Sequence, residues 1–187
     1  VEFDTILTPA DSPSVLAEVV RLTTHRSVWA RGVSQSAASL SQFVAELDAG
    51  AEAWHLVTES GSARWFRDGI AVAEPDPPIP MPFARSMPQQ VQLLHPAALP
   101  MWGRGRESFF PMLAQRIGGH SILLTFEHVN DPAFRSTMVI DLAVGAVRKF
   151  ASLGDVTVFT EVVTDRPLSA RTDYEFAPIT DWIRMDY

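Results

Sequence analysis

"MVIDLAVGAVRKFASLGDVTVFTEV" (residues 138–162) decides the fold. Its apolar runs break at Ala143–Gly145 and again at Gly154–Asp155, so it reads as three consecutive antiparallel strands joined by short turns. Asp141 and Arg148 flank the first turn, where they brace the hairpin. In "VTVFTEV" the alternation sets Val156, Val158 and Val162 on one face and Thr157, Phe159 and Glu161 on the other. Just upstream, "HSILLTFEHV" (120–129), the loop "NDPAF" and "RSTMVIDL" (135–142) extend the meander. There Ile122, Leu124 and Phe126 face away from Ser121, Leu123, Thr125 and Glu127. One side of this sheet requires a core, and the other is mixed rather than fully polar.

The first half holds a second meander: "AWHLVTE" (53–59), the turn "SGS", "ARWFR" (63–67), Asp68–Gly69 and "IAVAE" (70–74). Asp-Gly between apolar strands is a strong hairpin signal. Ahead of it, residues 12–24 read as a helix with Ser12 as cap and Pro13 in the first turn. Leu40, Phe43, Val44 and Leu47 are at helical spacing and predict a second helix over 37–48, with "SVWARGVS" as a short strand between the two. Residues 75–90, "PDPPIPMPFARSMPQQ", carry six prolines. They form either a loop packed on the core or a lid over an apolar opening, since proline breaks strand ladders. "VQLLHPAALPMW" (91–102) reads as a short strand and a turn or short helix, and "RESFFPMLAQRI" (106–117) fits strand or helix equally. The expected architecture is α+β: one domain over 1–187, with a strongly curved, mostly antiparallel sheet, an incomplete barrel, wrapped around N-terminal helices.

The 187 residues suffice for a core without covalent staples. A net charge of −7 and a pI near 5.1 exclude a phosphate-binding nucleic-acid surface. The absence of cysteine excludes disulfides, thiolate catalysis and Cys-ligated zinc. No apolar run reaches the ~18 residues of a membrane-spanning helix. The start "VEFDTILTPADSP" has neither a signal peptide's features nor an initiator Met. The chain is cytoplasmic if that start is native and exported if a leader has been removed. All basic residues but Lys149 are arginine, a skew typical of a GC-rich, actinobacterial-type composition.

Catalytic signatures are missing: there is no phosphate loop, GxSxG elbow or HExxH. His120 and His128 bracket one strand and lie about 27 Å apart at strand rise, too far to share a metal. Glu127 and His128 point to opposite faces, while His128 and Asp131 form a candidate loop-stabilising pair. Ser34, Ser36 and Ser39 are explained by capping, the arginines of "WGRGR" (102–106) by a solvated turn, and Trp29, Trp54, Trp65, Trp102 and Trp182 by core packing. No catalytic residue, metal or cofactor is implied.

"LLHPAAL", "IGGHSILLTFEH", "MVIDLAVGAVRKF" and "VTVFTEVVTDRPLSARTDYEFAP" resemble the C-terminal part of the LolA-like superfamily, which includes lipoprotein carriers, RseB-type sensors and related actinobacterial proteins. The matching features are a strand ending in Asp141, the turn at Gly145, basic Arg148, and the ending Pro167–Leu168 and Phe176–Pro178. "ARWFRDG" followed by "IAVAE" resembles the family's earlier strand–turn–strand element. The resemblance spans about 53–74 and 91–178 and implies an unclosed curved sheet around helices, with an acyl-chain cavity in the carriers and no catalytic residues. The expected function is non-enzymatic binding of a lipid or other apolar ligand. Ile122, Leu124, Phe126, Val156 and Val158 would line the site, and Met81 and Phe83 would come from the Pro-rich segment. The alternative is a protein-interaction or sensor module with a side-chain-filled core. A third reading is an enzyme built around His55, His120 or His128.

Overall fold

The computed structural model describes residues 4–23, 27–103, 108–169 and 171–177. Twelve strands make one antiparallel sheet: β1 (Thr5–Ile6), β2 (Ser27–Gln35), β3 (Leu40–Asp48), β4 (Ala53–Thr58), β5 (Ala63–Arg67), β6 (Ile70–Ala73), β7 (Ile79–Pro80), β8 (Phe109–Ile117), β9 (Ser121–His128), β10 (Arg135–Asp141), β11 (Ala146–Ser152) and β12 (Asp155–Thr164). Helix α1 (Ser12–Leu22) and the single turns α2 (Phe83–Ser86) and α3 (Gln89–Gln92) complete the set, with 3₁₀ turns at Pro9–Asp11 and Pro96–Ala98. The strand order is β1-β8-β9-β10-β11-β12-β2-β3-β4-β5-β6-β7, so the sheet is unclosed. Its two ends are the two-residue strands β1 and β7. Among the described residues no helix is long and apolar enough to cross a membrane.

The expected α+β curved sheet is present, but it holds one N-terminal helix rather than two. Residues 40–48 are β3, paired along their length with β2 and β4. Phe43, Ala45 and Leu47 point inward, and Val44 and Glu46 are buried on the other face. A strand buried on both faces loses its alternation, and Phe43, Val44 and Leu47 then match a helical period by coincidence. The β2–β3 hairpin closes through Ser36 N–H donating to the Ser39 carbonyl at 2.8 Å. The serine hydroxyls meet at 2.9 Å, so Ser36 and Ser39 serve this turn and not a helix cap. Residues 91–102 hold no strand; α3 and the Pro96–Ala98 turn lie there instead. The ambiguous stretch that follows is strand β8.

The opening stretch forms β10, β11 and β12 as expected. Arg148 Nε donates to Asp141 Oδ2 at 3.1 Å, and Asp141 Oδ1 accepts Ala143 N–H at 2.8 Å, which braces the turn. One detail differs. The β12 register against β2 shifts between Phe159 and Glu161. This bulge moves Val162 to the inward side with Phe159, both packed on the core, and away from the face of Val156 and Val158.

The concave face is covered by the chain itself. Val15 and Val19 of α1 pack on Ala114, Ile122, Leu124 and Ile140, leaving a gap of only about 10 Å³. Met87, Val91, Leu93, Leu94, Leu99, Met101 and Trp102 fill the adjoining part. Trp102 sits edge-on to Phe126 at 5.3 Å and donates its indole N–H to the Pro96 carbonyl at 2.9 Å.

The β10–β11 turn abuts the end of α1. Gly145 has φ +60°, and a Cβ there would stand 2.0 Å from the Leu22 carbonyl oxygen. Gly154, in the next turn, has φ +80° but open space around it. Gly154→Ala should therefore cost about 1 kcal/mol from backbone strain alone, and Gly145→Ala about 2–3 kcal/mol or more from strain plus collision. Urea unfolding of both variants checks this; equal losses would contradict the close approach of helix and turn.

Candidate functional site

The seven residues expected to line an apolar site do not come together. Ile122, Leu124 and Phe126 face inward at 5%, 3% and 0% exposure, against α1 and Trp102. Val156 and Val158 alternate with the inward Thr157 and Phe159 and occupy the outer face. Val158 lies opposite Val33 on one side and Lys149 on the other. Phe83 packs on Phe66 with ring centres 5.6 Å apart. Of the seven, Met81 borders an open space of useful size.

That space lies between the inward face of β5–β6 and the Pro-rich segment. It measures about 240 Å³, and Trp54, Ala71, Ile79, Met81 and Met87 supply apolar walls. The segment is anchored over it: Trp54 Nε1 donates to Ser86 Oγ at 2.8 Å, and Ser86 Oγ donates to the Phe83 carbonyl at 2.7 Å. Strand β7 pairs with β6 at Ile70–Pro80 and Ala71–Ile79, closing the other side. Proline ends this two-residue edge strand because it has no N–H to continue the ladder.

Arg64 supplies the charge. It alternates with Trp65 on β5, so it shares the inward side with Phe66 and borders the cavity. Partial burial pushes its guanidinium below the ordinary arginine value, and no acidic group offsets that desolvation. It has no hydrogen bond or ion pair among the described residues. A half-buried cation with apolar walls around it is suited to an anionic head attached to an apolar body. Asp76 and exposed Arg85 stand at the margin of the same space. Sequence reasoning missed Arg64. The available signal was an arginine at an inward position of "ARWFR", two residues from the buried Phe66.

The four described histidines lie on separate elements, apart from His120 and His128 at the two ends of β9. His128 Nδ1 accepts Asn130 N–H at 3.3 Å, and the ring packs between Phe109 and Phe134 at 5.1 and 6.4 Å. Asp131 instead accepts Ala133 N–H at 3.0 Å, so the anticipated His128–Asp131 pair is not formed. His120 stands beyond the opposite end of β9, and burial lowers the affinity of His95 for a proton. Among the described residues no group of three or more His, Cys, Asp or Glu could hold a metal. His25, Arg104, Arg106 and Trp182 lie outside the described residues.

No protein-family model and no curated protein matches the chain. Solved structures do. A chain of the MucA/MucB complex of Pseudomonas aeruginosa is similar with a TM-score of 0.54 and 14% identity, over 88% of this chain and 61% of that one. This chain thus spans less than two thirds of that protein's length. A conserved protein of Thermus thermophilus is similar with a TM-score of 0.53 and 8% identity, over 88% of this chain and 94% of that one. At such identities the likeness speaks for the fold. The protein has a LolA-like fold, an unclosed and curved antiparallel sheet packed around helices.

Proposed function

We propose that the protein is a non-enzymatic binding module whose ligand is an amphiphile with an anionic head, held beneath the Pro-rich segment. The observation that carries this reading is Arg64, a desolvated guanidinium without a partner at an apolar cavity. Burying a charge is costly unless it is paired, so a carboxylate arriving there relieves a cost already present in the free protein. Met81, Ile79 and Trp54 would take the apolar body. At about 240 Å³ the space is below the usual range of ligand sites, roughly 300–1,000 Å³. A medium-length chain suits it better than a long one, unless the 75–88 segment lifts.

A second reading, a protein-interaction module, draws on the filled concavity under α1 and on the similar structure being a complex of two proteins. In that case the sheet would act as a rigid platform and the partner would bind outside the core.

Laurate and dodecanol separate the two readings. Laurate should displace a fluorescent fatty-acid probe, and Arg64→Gln should weaken laurate by about ten- to a hundredfold, the worth of one charge-assisted hydrogen bond. Dodecanol should be almost unaffected by that substitution. If laurate neither displaces the probe nor appears bound by native mass spectrometry, the amphiphile reading fails and the interaction module is favoured.

A further inference from the structure

The outer face of the sheet carries a straight row of side chains. The register sets Trp29 opposite Glu46, Glu46 opposite His55, His55 opposite Trp65 and Trp65 opposite Val72. Directly paired residues share a face and touch, so the row runs unbroken across five strands.

Half of this row is roofed by the C-terminal segment. Ser169 donates to the Glu46 carboxylate through its backbone N–H at 3.1 Å and its hydroxyl at 2.5 Å, and the Tyr174 hydroxyl donates at 2.9 Å. Arg166 lies 4.8 Å from the centre of the Trp29 ring. These contacts hold a carboxylate that is 2% exposed. The other half of the row is open. Between β5 and the segment lies a cleft of about 250 Å³, bordered by Trp65 and Leu168, with His55 at its floor.

His55 is itself 2% exposed. Its Nδ1 stands 3.8 Å from Glu46 Oε2, within ion-pair reach and beyond hydrogen-bond range. An imidazole bordering the cleft can donate to or accept from a ligand hydroxyl there. Ala63 and Arg67 are the diagonal neighbours of His55 on β5, each with its Cβ about 7–8 Å away. Ala63 leaves the room, and Arg67 offers a guanidinium that has no ion pair among the described residues. Glu74, at the same cleft, repels a second negative charge.

We propose that this cleft is a binding site for a small aromatic monocarboxylate carrying a ring hydroxyl. The carboxylate meets Arg67, the ring lies against Trp65 and Leu168, and the hydroxyl meets the His55 imidazole. Trp65 supplies the broad aromatic surface that favours a flat ligand over an aliphatic one. Arg67 supplies the fork geometry that suits a carboxylate. Arg64 and Trp65 are adjacent on β5 and point to opposite faces, so this site stands independently of the amphiphile cavity.

Isothermal titration with 4-hydroxybenzoate, benzoate and hexanoate tests the assignment. Wild-type protein should bind 4-hydroxybenzoate saturably, benzoate more weakly and hexanoate weakest. Arg67→Gln, at an exposed position, should weaken both aromatic acids by about tenfold or more. His55→Gln should remove the preference for the hydroxylated acid, with circular dichroism confirming the fold. Arg64→Gln should change none of these affinities. The assignment is overturned if no acid binds saturably at millimolar concentration, if hexanoate binds as well as 4-hydroxybenzoate, or if Arg67→Gln leaves the affinities unchanged.

Discussion

A curved twelve-stranded sheet has to bury its concave face, and this one does so against its own chain. Helix α1 fits onto β8, β9 and β10 with almost no residual gap, and side chains of residues 87–102 pack into the adjoining part of the hollow. Burial of apolar area there, worth about 25 cal/mol per Å², supplies the main driving force for the fold. It also decides where binding is possible. Among the described residues, openings lie where the Pro-rich segment meets β5–β6, where the C-terminal segment meets the outer face, and where Gln89 and Gln90 face the β2–β3 hairpin.

The middle of the sheet is buried on both sides for a related reason. Ala45 and Leu47 of β3 face the core, while Glu46 faces outward and is covered by Ser169 and Tyr174. Burial raises the proton affinity of the Tyr174 phenol, with smaller effects from its neighbours Ser169 and Glu46. A carboxylate with this many donors is tolerated in the interior, whereas one left alone would not be. Gly32 of β2 shows how tightly its flanking strands β3 and β12 crowd it: a Cβ there would fall 2.7 Å from the Phe43 ring and 2.5 Å from the Val158 carbonyl.

Much of this was legible in the residues. Asp68–Gly69 takes positive φ at both positions, +53° and +79°, as a two-residue hairpin turn requires. The strands from 120 to 163 follow from alternation and glycine turns. Three things were hidden. Residues 40–48 were disguised as a helix because both faces of β3 are covered, one by a segment more than 120 residues away in sequence. The bulge at Thr160 shifts Val162 to the core side, and a bulge leaves no mark in an apolar pattern. The sites themselves rest on long-range register: nothing local says that Arg64 lies under a proline-rich segment or that His55 sits between Glu46 and Trp65. Ile122, Leu124 and Phe126 were recognisable as inward, but whether they met a ligand or a helix was not.

The central proposal is that α1 already fills the hollow over β8–β10 and that an apolar ligand enters instead under the Pro-rich segment. A crystal structure of the protein grown with laurate tests this most directly. The account predicts the carboxylate at Arg64, the chain along Met81 and Ile79, and α1 unmoved on β9 and β10. Laurate lodged between α1 and Ile122 or Leu124, with the helix displaced, would contradict it.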